Sequence, residues 1–546
     1  MMRWLRRGLL ILLAVIAVLL VGGWAYVRFV VGAVVNTPVT GVLAEQFPSL
    51  FARPRADASV LAEHLRLPDG MELTVFARDI PDARILRVTR NGDVLLASPA
   101  KGAVWLLRAD RNGDGASDGV QLLLRGLDGP NGLDFHGRHL YVAEEGQVGR
   151  IVFDHRQGQV QGAYEVVIGG LPPGGNHWKK TLRFGPDGQL YLAIGSTCNV
   201  CIEEDERRAT LMRFAPDGTG GRIIATGLRN SAGFDWRPGD NALFATDNGR
   251  DLLGDDFPPC ELNQVVEGGF YGWPFVNGTG IADPDVGAGH DAARARSPVF
   301  EFNAHNAPLG ILFPRHLTAV AGLQGGYAGA ALVALHGSWN RARKDGYKVV
   351  SLHWAADGRI EARDFLSGFL VGDKVYGRPA ELAEGPDGAI YVSDDFTGAV
   401  YRIARARTVG APAAGRVRTD AGAPAGPDAA LVASLQAPGK QASGKQASGS
   451  VNVAAAPAPV PAASPAELAA QGERLFEGSG CLECHVLGAA MPPADGPAKV
   501  QLKGLAARYD VATMQVYLDR PVPPMPPVAD EGERVALTHY LLQVAP

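Results

Sequence analysis

One short phrase recurs six times and constrains the fold more than any other feature of the chain. It is an apolar pair followed by a small residue and then polar or glycine positions. The copies are Val94-Leu-Leu-Ala97, Leu140-Tyr-Val-Ala143, Leu190-Tyr-Leu-Ala193, Leu243-Phe-Ala245, Leu332-Val-Ala334 and Ile390-Tyr-Val-Ser393. From small residue to small residue the separations are 46, 50, 52, 89 and 59, each about one four-stranded blade, with one large insertion before the fifth copy. Six copies predict a mainly β, six-bladed propeller over residues 60–406, with the phrase on the inner strands. The turns Gly185-Pro-Asp-Gly188 and Gly385-Pro-Asp-Gly388 precede two copies at equal distance and supply the fixed Pro φ and left-handed Gly of a tight strand connection.

The chain of 546 residues is too long for one such unit, and the rest divides by composition. After Arg3, Arg6 and Arg7 an apolar run extends from Gly8 to Tyr26, about 19 residues, the length needed to cross a bilayer. A cleaved signal has the same order of charge and apolar residues but a shorter run with a small-x-small end. Residues 1–35 are therefore read as a membrane anchor, with a cleaved signal the alternative. The positive-inside rule keeps the arginines cytoplasmic and sends the chain beyond about residue 35 to the periplasmic side of a bacterial inner membrane. Residues 407–463 are rich in Ala, Pro, Gly and Ser and are expected to form a linker that buries no core of its own. Folding resumes at Ser464-Pro-Ala-Glu467, a capping box, and a second helix is expected over about Asp530 to Val544. Residues 464–546 thus read as a small all-α domain. With 52 Lys plus Arg against 57 Asp plus Glu there is no basic surplus to draw nucleic acid.

Four of the five cysteines form two C-x-x-C pairs. Cys198 and Cys201 have no histidine after them and read as a loop-closing disulfide in an exported chain; Cys260 is left over. Cys481-Leu-Glu-Cys484-His485 is the arrangement that attaches haem c, two thiols taking the vinyl groups and His485 the iron. No further Cys pair follows to complete a zinc site. For the sixth iron ligand, Met525 in Pro521-Val-Pro-Pro-Met-Pro-Pro527 is preferred, because prolines stiffen the loop that holds its sulfur. Met491 is too near His485, and Met514 lies in a helical stretch where packing explains it. This last region resembles a class I cytochrome c.

The polar loops of the predicted propeller carry a second resemblance. His177 stands in Gly174-Gly-Asn-His177-Trp-Lys-Lys-Thr-Leu-Arg-Phe-Gly-Pro-Asp-Gly188, just before an inner strand. Gly227-Leu-Arg229-Asn230, Asp247-Asn248-Gly249-Arg250-Asp251, Glu261-Leu-Asn263 and Gly269-Phe-Tyr-Gly-Trp-Pro274 come after it. In this order they resemble the quinoprotein sugar dehydrogenases of the soluble glucose dehydrogenase and sorbosone dehydrogenase type, propellers that hold pyrroloquinoline quinone (PQQ) over calcium. The resemblance implies His177 as general base and Arg229 as the cation beside the quinone carbonyl. It implies Asn230, Asn248, Arg341 and Arg378 as PQQ contacts, and Gly249 and Arg250 as calcium ligands through their carbonyls. Ala232, Asn340-Arg341 and Cys260 depart from the glucose-oxidising pattern and sit closer to the sorbosone or pyranose type. Asp110, Asn112, Asp114 and Asp118 make half of a calcium loop whose position 12 is Gln121, so a second calcium site and a polar turn both remain open.

These readings combine into an anchored enzyme that oxidises a sugar, alcohol or aldehyde at PQQ and passes electrons through haem c to an external acceptor. The alternatives are a calcium-dependent propeller lactonase with an attached cytochrome, and a non-catalytic docking module for a redox partner.

Overall fold

The computed structural model describes residues 14–22, 57–317, 326–406 and 414–435. Nearer the C-terminus it describes 452–453, 464–478, 485–487, 500–503, 505–506, 509–511, 514–515, 518, 528 and 531–544. Residues 14–22 are helical. Most of the apolar run Gly8 to Tyr26 lies outside the described residues, among which no helix is long and apolar enough to cross a membrane.

The chain divides into two compact units, Met1–Ala454 and Ala455–Pro546. In the first, six antiparallel four-stranded blades follow one another. Their first strands are Ile85–Val88, Gly132–His136, Lys180–Phe184, Phe234–Trp236, Pro308–Leu312 and Pro379–Glu384. The sixth blade borrows its outer strand from the start of the unit: Met71–Ala77 pairs with Ala399–Arg405, Met71 opposite Arg405. That pairing closes the ring and leaves no free sheet edge at the join.

The recurring phrase falls on the second strand of every blade, one place outward from the expected inner position. Second strands are pressed between two neighbouring blades, so both of their faces are buried, and Val94–Ser98, Leu190–Ile194 and Ile390–Asp394 are buried throughout. Double burial is what a continuous apolar run with small residues suits. First strands line the central channel and carry charge. Arg87 pairs with Asp134 at 3.2 Å, Arg183 with Glu381 at 3.3 Å, and Arg315 with Asp235 at 3.0 Å, so ion pairs stitch the blades around the axis. The Gly-Pro-Asp-Gly turns join first to second strands. Gly188 and Gly388 adopt φ of 71° and 73°, and Asp187 and Asp387 each accept from the amide two residues on. The insertion before the fifth copy is located in blade 4, between Cys260–Val265 and Phe300–Phe302.

Part of the segment expected to be a tether belongs to the propeller. Arg416–Val417 runs parallel to Glu72–Leu73, and Asp428 caps a helix, Ala429–Ser434. Leu431, Val432 and Leu435 from this segment pack on the cluster that contains Phe76 and Trp105. Asn452–Val453 pairs with Leu124–Arg125. A handful of apolar side chains cannot build a core, but they suffice to dock a strap onto one that exists.

In the second unit, helices Pro465–Gly478 and Glu531–Val544 form where their caps and apolar spacing predict. They pack through Phe476, Leu537, Tyr540 and Leu541, with Met514 buried in the same cluster. A Cβ at Gly472 would collide with the Ala536 carbonyl, so the close crossing requires glycine there. The unit is not all-α: His485–Leu487 and Val500–Leu502 form a short parallel pair. Cys481, Cys484 and Met525 lie outside the described residues, and of His485 only the backbone is described.

Candidate functional site

A cavity of about 250 Å³ sits at one end of the channel, where the segments leading into the six first strands converge. Arg84 and Ile85, Asn131, Asn176 to Lys179, Asn230 to Ala232, Leu309 and Gly310, and Ala380 and Glu381 line it, one group from each blade. Connections between second and third strands open at the same end and form the shell behind it.

His177 is half-buried at the wall. Its Nδ1 lies 2.8 Å from Ser196 Oγ, and its amide donates to the Ser196 carbonyl. Burial and the nearby Arg229 charge push the imidazole down to about 3, so it is neutral throughout the physiological range. Its Nε2 has no hydrogen-bond partner among the described residues and is free to accept a proton.

Arg229 stands behind this wall, 4 % exposed. All five of its donors are engaged by protein oxygens: Nε on the Asn199 carbonyl, Nη1 on the carbonyls of Asn248 and Gly249, Nη2 on Asn199 Oδ1 and Asp251. The guanidinium therefore organises the 247–251 loop in this structure, whereas the resemblance implied a donor pointed at a ligand. Asp247, buried and pushed up to about 7, accepts the amides of Arg229 and Asn230 and sets Asn230 at the cavity. Arg250 turns the other way, both Asp283 oxygens lying 2.8 Å from its Nη1 and Asp285 from its Nη2. Asn248 Oδ1 is buried with no hydrogen-bond partner among the described residues.

The opposite wall is cationic. Arg84 pairs with Asp395, which also lies 2.9 Å from His336 Nε2, and Arg378 Nη2 lies 3.1 Å from His336 Nδ1. Burial and the Arg378 charge push His336 down to about 3. A neutral ring that accepts from Arg378 must donate from Nε2 to Asp395, so His336 works as a strut between the two charges. Burial tends to raise Asp395, but His336 and Arg84 beside it hold its carboxyl well below the usual range. Lys179 reaches the cavity between these groups with its ammonium 5.6 Å from the Trp178 ring centroid. It makes no hydrogen bond or ion pair among the described residues, and burial, reinforced by Arg84, pushes it down to about 8.

Of the residues singled out from sequence, His177 and Asn230 meet at the cavity, whereas Arg378 stands behind its lining and is linked to it through His336. Arg341 does not: it is spent on the Asp255 and Ala304 carbonyls and on Asp256 at 3.1 Å. The 110–118 loop joins third and fourth strands and so lies at the opposite end of the propeller. Its side chains cap its own turn: Asp110 accepts from Gly113 and Gly115, Asn112 from Asp114, Asp114 from Ala116 and Asp118 from Arg111. Cys198 and Cys201 form the expected disulfide. Cys260 is buried, its thiol pushed up to about 11 by burial. Sequence reasoning missed Arg84, Lys179, Ser196, Asn199 and Asp395. None of them had a local signal, since each gains its place from neighbours far away along the chain.

A closed six-bladed propeller with a neutral histidine facing a cationic wall across an axial cavity defines the class of protein. The chain belongs to the TrAA12-like family, which matches residues 65–257 and 288–406. The unmatched stretch lies in blade 4 and covers most of its insertion. A relative from Borreliella burgdorferi, named only as an uncharacterized protein, is 27% identical over 368 residues, 63% of this chain and 92% of the relative. The aldose sugar dehydrogenase YliI of Escherichia coli is 28% identical over 158 residues, 26% of this chain and 41% of that protein. Among solved structures, the PQQ domain of pyranose dehydrogenase from Coprinopsis cinerea has a TM-score of 0.53 at 20% identity, covering 65% of this chain and 98% of that one. The calcium structure of the Trichoderma reesei family AA12 enzyme has a TM-score of 0.55 at 19% identity, covering 63% and 97%. At these identities the likeness establishes the fold.

Proposed function

We propose that the propeller is a PQQ-dependent dehydrogenase that oxidises a sugar or a related alcohol or aldehyde, and that haem c in the C-terminal unit carries its electrons to an external acceptor. The observation that carries the first part is the meeting, in one cavity, of an unprotonated imidazole with Arg84 and Lys179, which Arg378 backs through His336. The wall suits a tricarboxylate. Asn131 Oδ1 and Ser231 Oγ also line the cavity, buried and without hydrogen-bond partners among the described residues, as groups that await a polar ligand do. Asn248 Oδ1, beside Gly249 and Arg250, is a hard oxygen of the kind calcium takes. Arg84, Lys179 and Asn230 would hold PQQ, with Arg378 behind them through His336, and calcium would lie near Asn248 Oδ1 and the Arg250 carbonyl, because the Gly249 carbonyl expected to bind it is taken by Arg229.

When bound, PQQ supplies a two-electron acceptor for hydride. His177 receives the proton of the substrate hydroxyl at Nε2, a role open to it because the ring is neutral at working pH. Arg229 keeps the 247–251 loop in place, and Asp247 keeps Asn230 turned to the cavity. The haem part of the reading rests on Cys481, Cys484, His485 and Met525, and the anchor on the run from Gly8 to Tyr26, which would place both units in the periplasm.

The full-length protein reconstituted with PQQ and Ca²⁺ is to be mixed with a panel of sugars, aldehydes and alcohols while the haem spectrum is followed. The haem bands are expected to shift to the reduced form with at least one aldose, and to fail to do so in His177→Gln, which loses about 10² or more in kcat. Lactone hydrolysis that ignores PQQ, with no haem or dye reduction, would select a hydrolase instead. Unimpaired electron transfer in His177→Gln would select a docking module.

A further inference from the structure

Two contacts converge on the Ser196 hydroxyl, which has one proton to give. Its Oγ lies 2.7 Å from the Cys198 carbonyl oxygen and 2.8 Å from His177 Nδ1. A carbonyl oxygen only accepts, so the proton lies between Oγ and the Cys198 oxygen; any other placement sets the lone pairs of two oxygens against each other at 2.7 Å. Oγ can then only accept from the ring. His177 must carry its proton on Nδ1, which leaves the lone pair on Nε2, the nitrogen without a protein partner among the described residues.

The Cys198 carbonyl is itself held by the small ring that the Cys198–Cys201 disulfide closes. Inside that ring Asn199 is locked from several sides. Its Oδ1 accepts from Arg229 at 2.8 Å and from the Asp251 amide at 2.8 Å, and its carbonyl accepts from Arg229 at 2.9 Å and from Trp273 Nε1 at 3.3 Å. The Ser196 amide donates to the Arg229 carbonyl at 2.8 Å, so the serine backbone is pinned as well.

We propose that Ser196 is the positioning residue that sets the tautomer of His177, and that the Cys198–Cys201 disulfide keeps its hydroxyl turned away from the ring. Reduction by a dithiol, which gives two electrons and two protons and leaves as its own disulfide, opens the small ring; Ser196 and Asn199 keep their own contacts, and only the peptide plane carrying the Cys198 carbonyl between them gains freedom to rotate away from Ser196 Oγ. The Ser196 hydroxyl then turns to donate to Nδ1, the ring proton moves to Nε2, and the lone pair facing the cavity is lost. The disulfide becomes a redox gate on the base. The consequence for turnover rests on His177 acting as the proposed base; the tautomer itself does not.

The test reads the ring nitrogens directly, without cofactor or substrate. The full chain, labelled with ¹⁵N in its histidine rings, is studied by long-range ¹H–¹⁵N correlation, the His177 signals being assigned by their loss in His177→Gln. The expected wild-type pattern has Nδ1 protonated and Nε2 bare. Loss of one net hydrogen bond should move the tautomer ratio about five-fold toward Nε2–H in Ser196→Ala and in Cys198→Ala/Cys201→Ala, the latter mimicking reduction without reducing haem. Ser196→Thr keeps the hydroxyl and should keep the wild-type pattern. A wild-type ring protonated on Nε2 overturns the proposal, as does a wild-type pattern in folded Ser196→Ala or in the double alanine variant. The expected ring pattern in a protein that turns over no sugar would retire the dehydrogenase reading and leave this one standing.

Discussion

Replacing Lys179 by Met tests the cationic wall most directly. Methionine keeps much of the length and apolar stem of lysine and removes only the charge, and Lys179 has no partner among the described residues that the change would strand. If its ammonium meets a carboxylate of PQQ, the loss is that of one charge-assisted hydrogen bond, about 1.5 to 3 kcal/mol. At about 1.4 kcal/mol per decade that is a 10- to 100-fold weaker Kd at neutral pH. The pH dependence gives a sharper signature. With the free-protein lysine at about 8, the ammonium is present before binding at pH 7 and affinity there is flat. As pH rises through 8 the free protein loses that proton and must take it up again to bind, so wild-type Kd should weaken by up to about ten-fold per pH unit. The variant lacks this slope, and the two Kd values should converge toward about pH 10. Lys180, pushed down to about 7 by burial, titrates nearby but is common to both proteins and cancels in their ratio. The assay is equilibrium titration with PQQ and Ca²⁺ at fixed salt from about pH 6.5 to 10, read by tryptophan fluorescence, for which Trp178 stands at the cavity. Equal Kd values at pH 7, or a variant that keeps the wild-type slope, would refute the assignment of Lys179 as a cofactor contact.

Three further outcomes are expected of the fold. Arg183→Leu removes the 3.3 Å partner of buried Glu381, while Asp235 keeps Arg315, and should cost about 3 to 5 kcal/mol in chemical unfolding, easing at acid pH as the stranded Glu381 protonates; a loss under about 1 kcal/mol would show that the pair is not buried as described. Leu435→Ala should destabilise the propeller by about 2 kcal/mol or more, because this side chain is 7 % exposed in the Phe76 cluster; no change would return residues 414–435 to the status of a free linker. Met525→Ala should lower the haem potential and alter the oxidised spectrum while covalent haem is retained, and an unchanged spectrum would exclude Met525 as the axial ligand.

Much of the architecture was legible because it repeats. Double burial of every second strand demands the same apolar phrase, and six repetitions announce six blades whatever the intervening loops do. The phrase could not say which strand it marked. That depended on which strand faces the channel, and the channel-lining strands hide their role behind charges such as Arg87, Arg183 and Glu381 that look like surface residues one at a time. The strap at 414–435 was misread for a related reason: a few apolar residues in an Ala- and Pro-rich stretch are below any local threshold for folding, and only the presence of a finished core makes them stick.

The chain's own order of residues determined the blade number, the turns, the terminal helices, the Cys198–Cys201 disulfide and the position of His177 ahead of an inner strand, since each depends on neighbours within a few residues. Tertiary structure decided the rest of the site. Arg84, Lys179, His336 and Asp395 come from four separate stretches of chain, and only ring closure brings them together. Arg229 and Arg341 looked like free cations until the fold supplied the carbonyls that consume their donors. A side chain's type is local, but whether its hydrogen bonds are already spent is settled by groups far away along the chain.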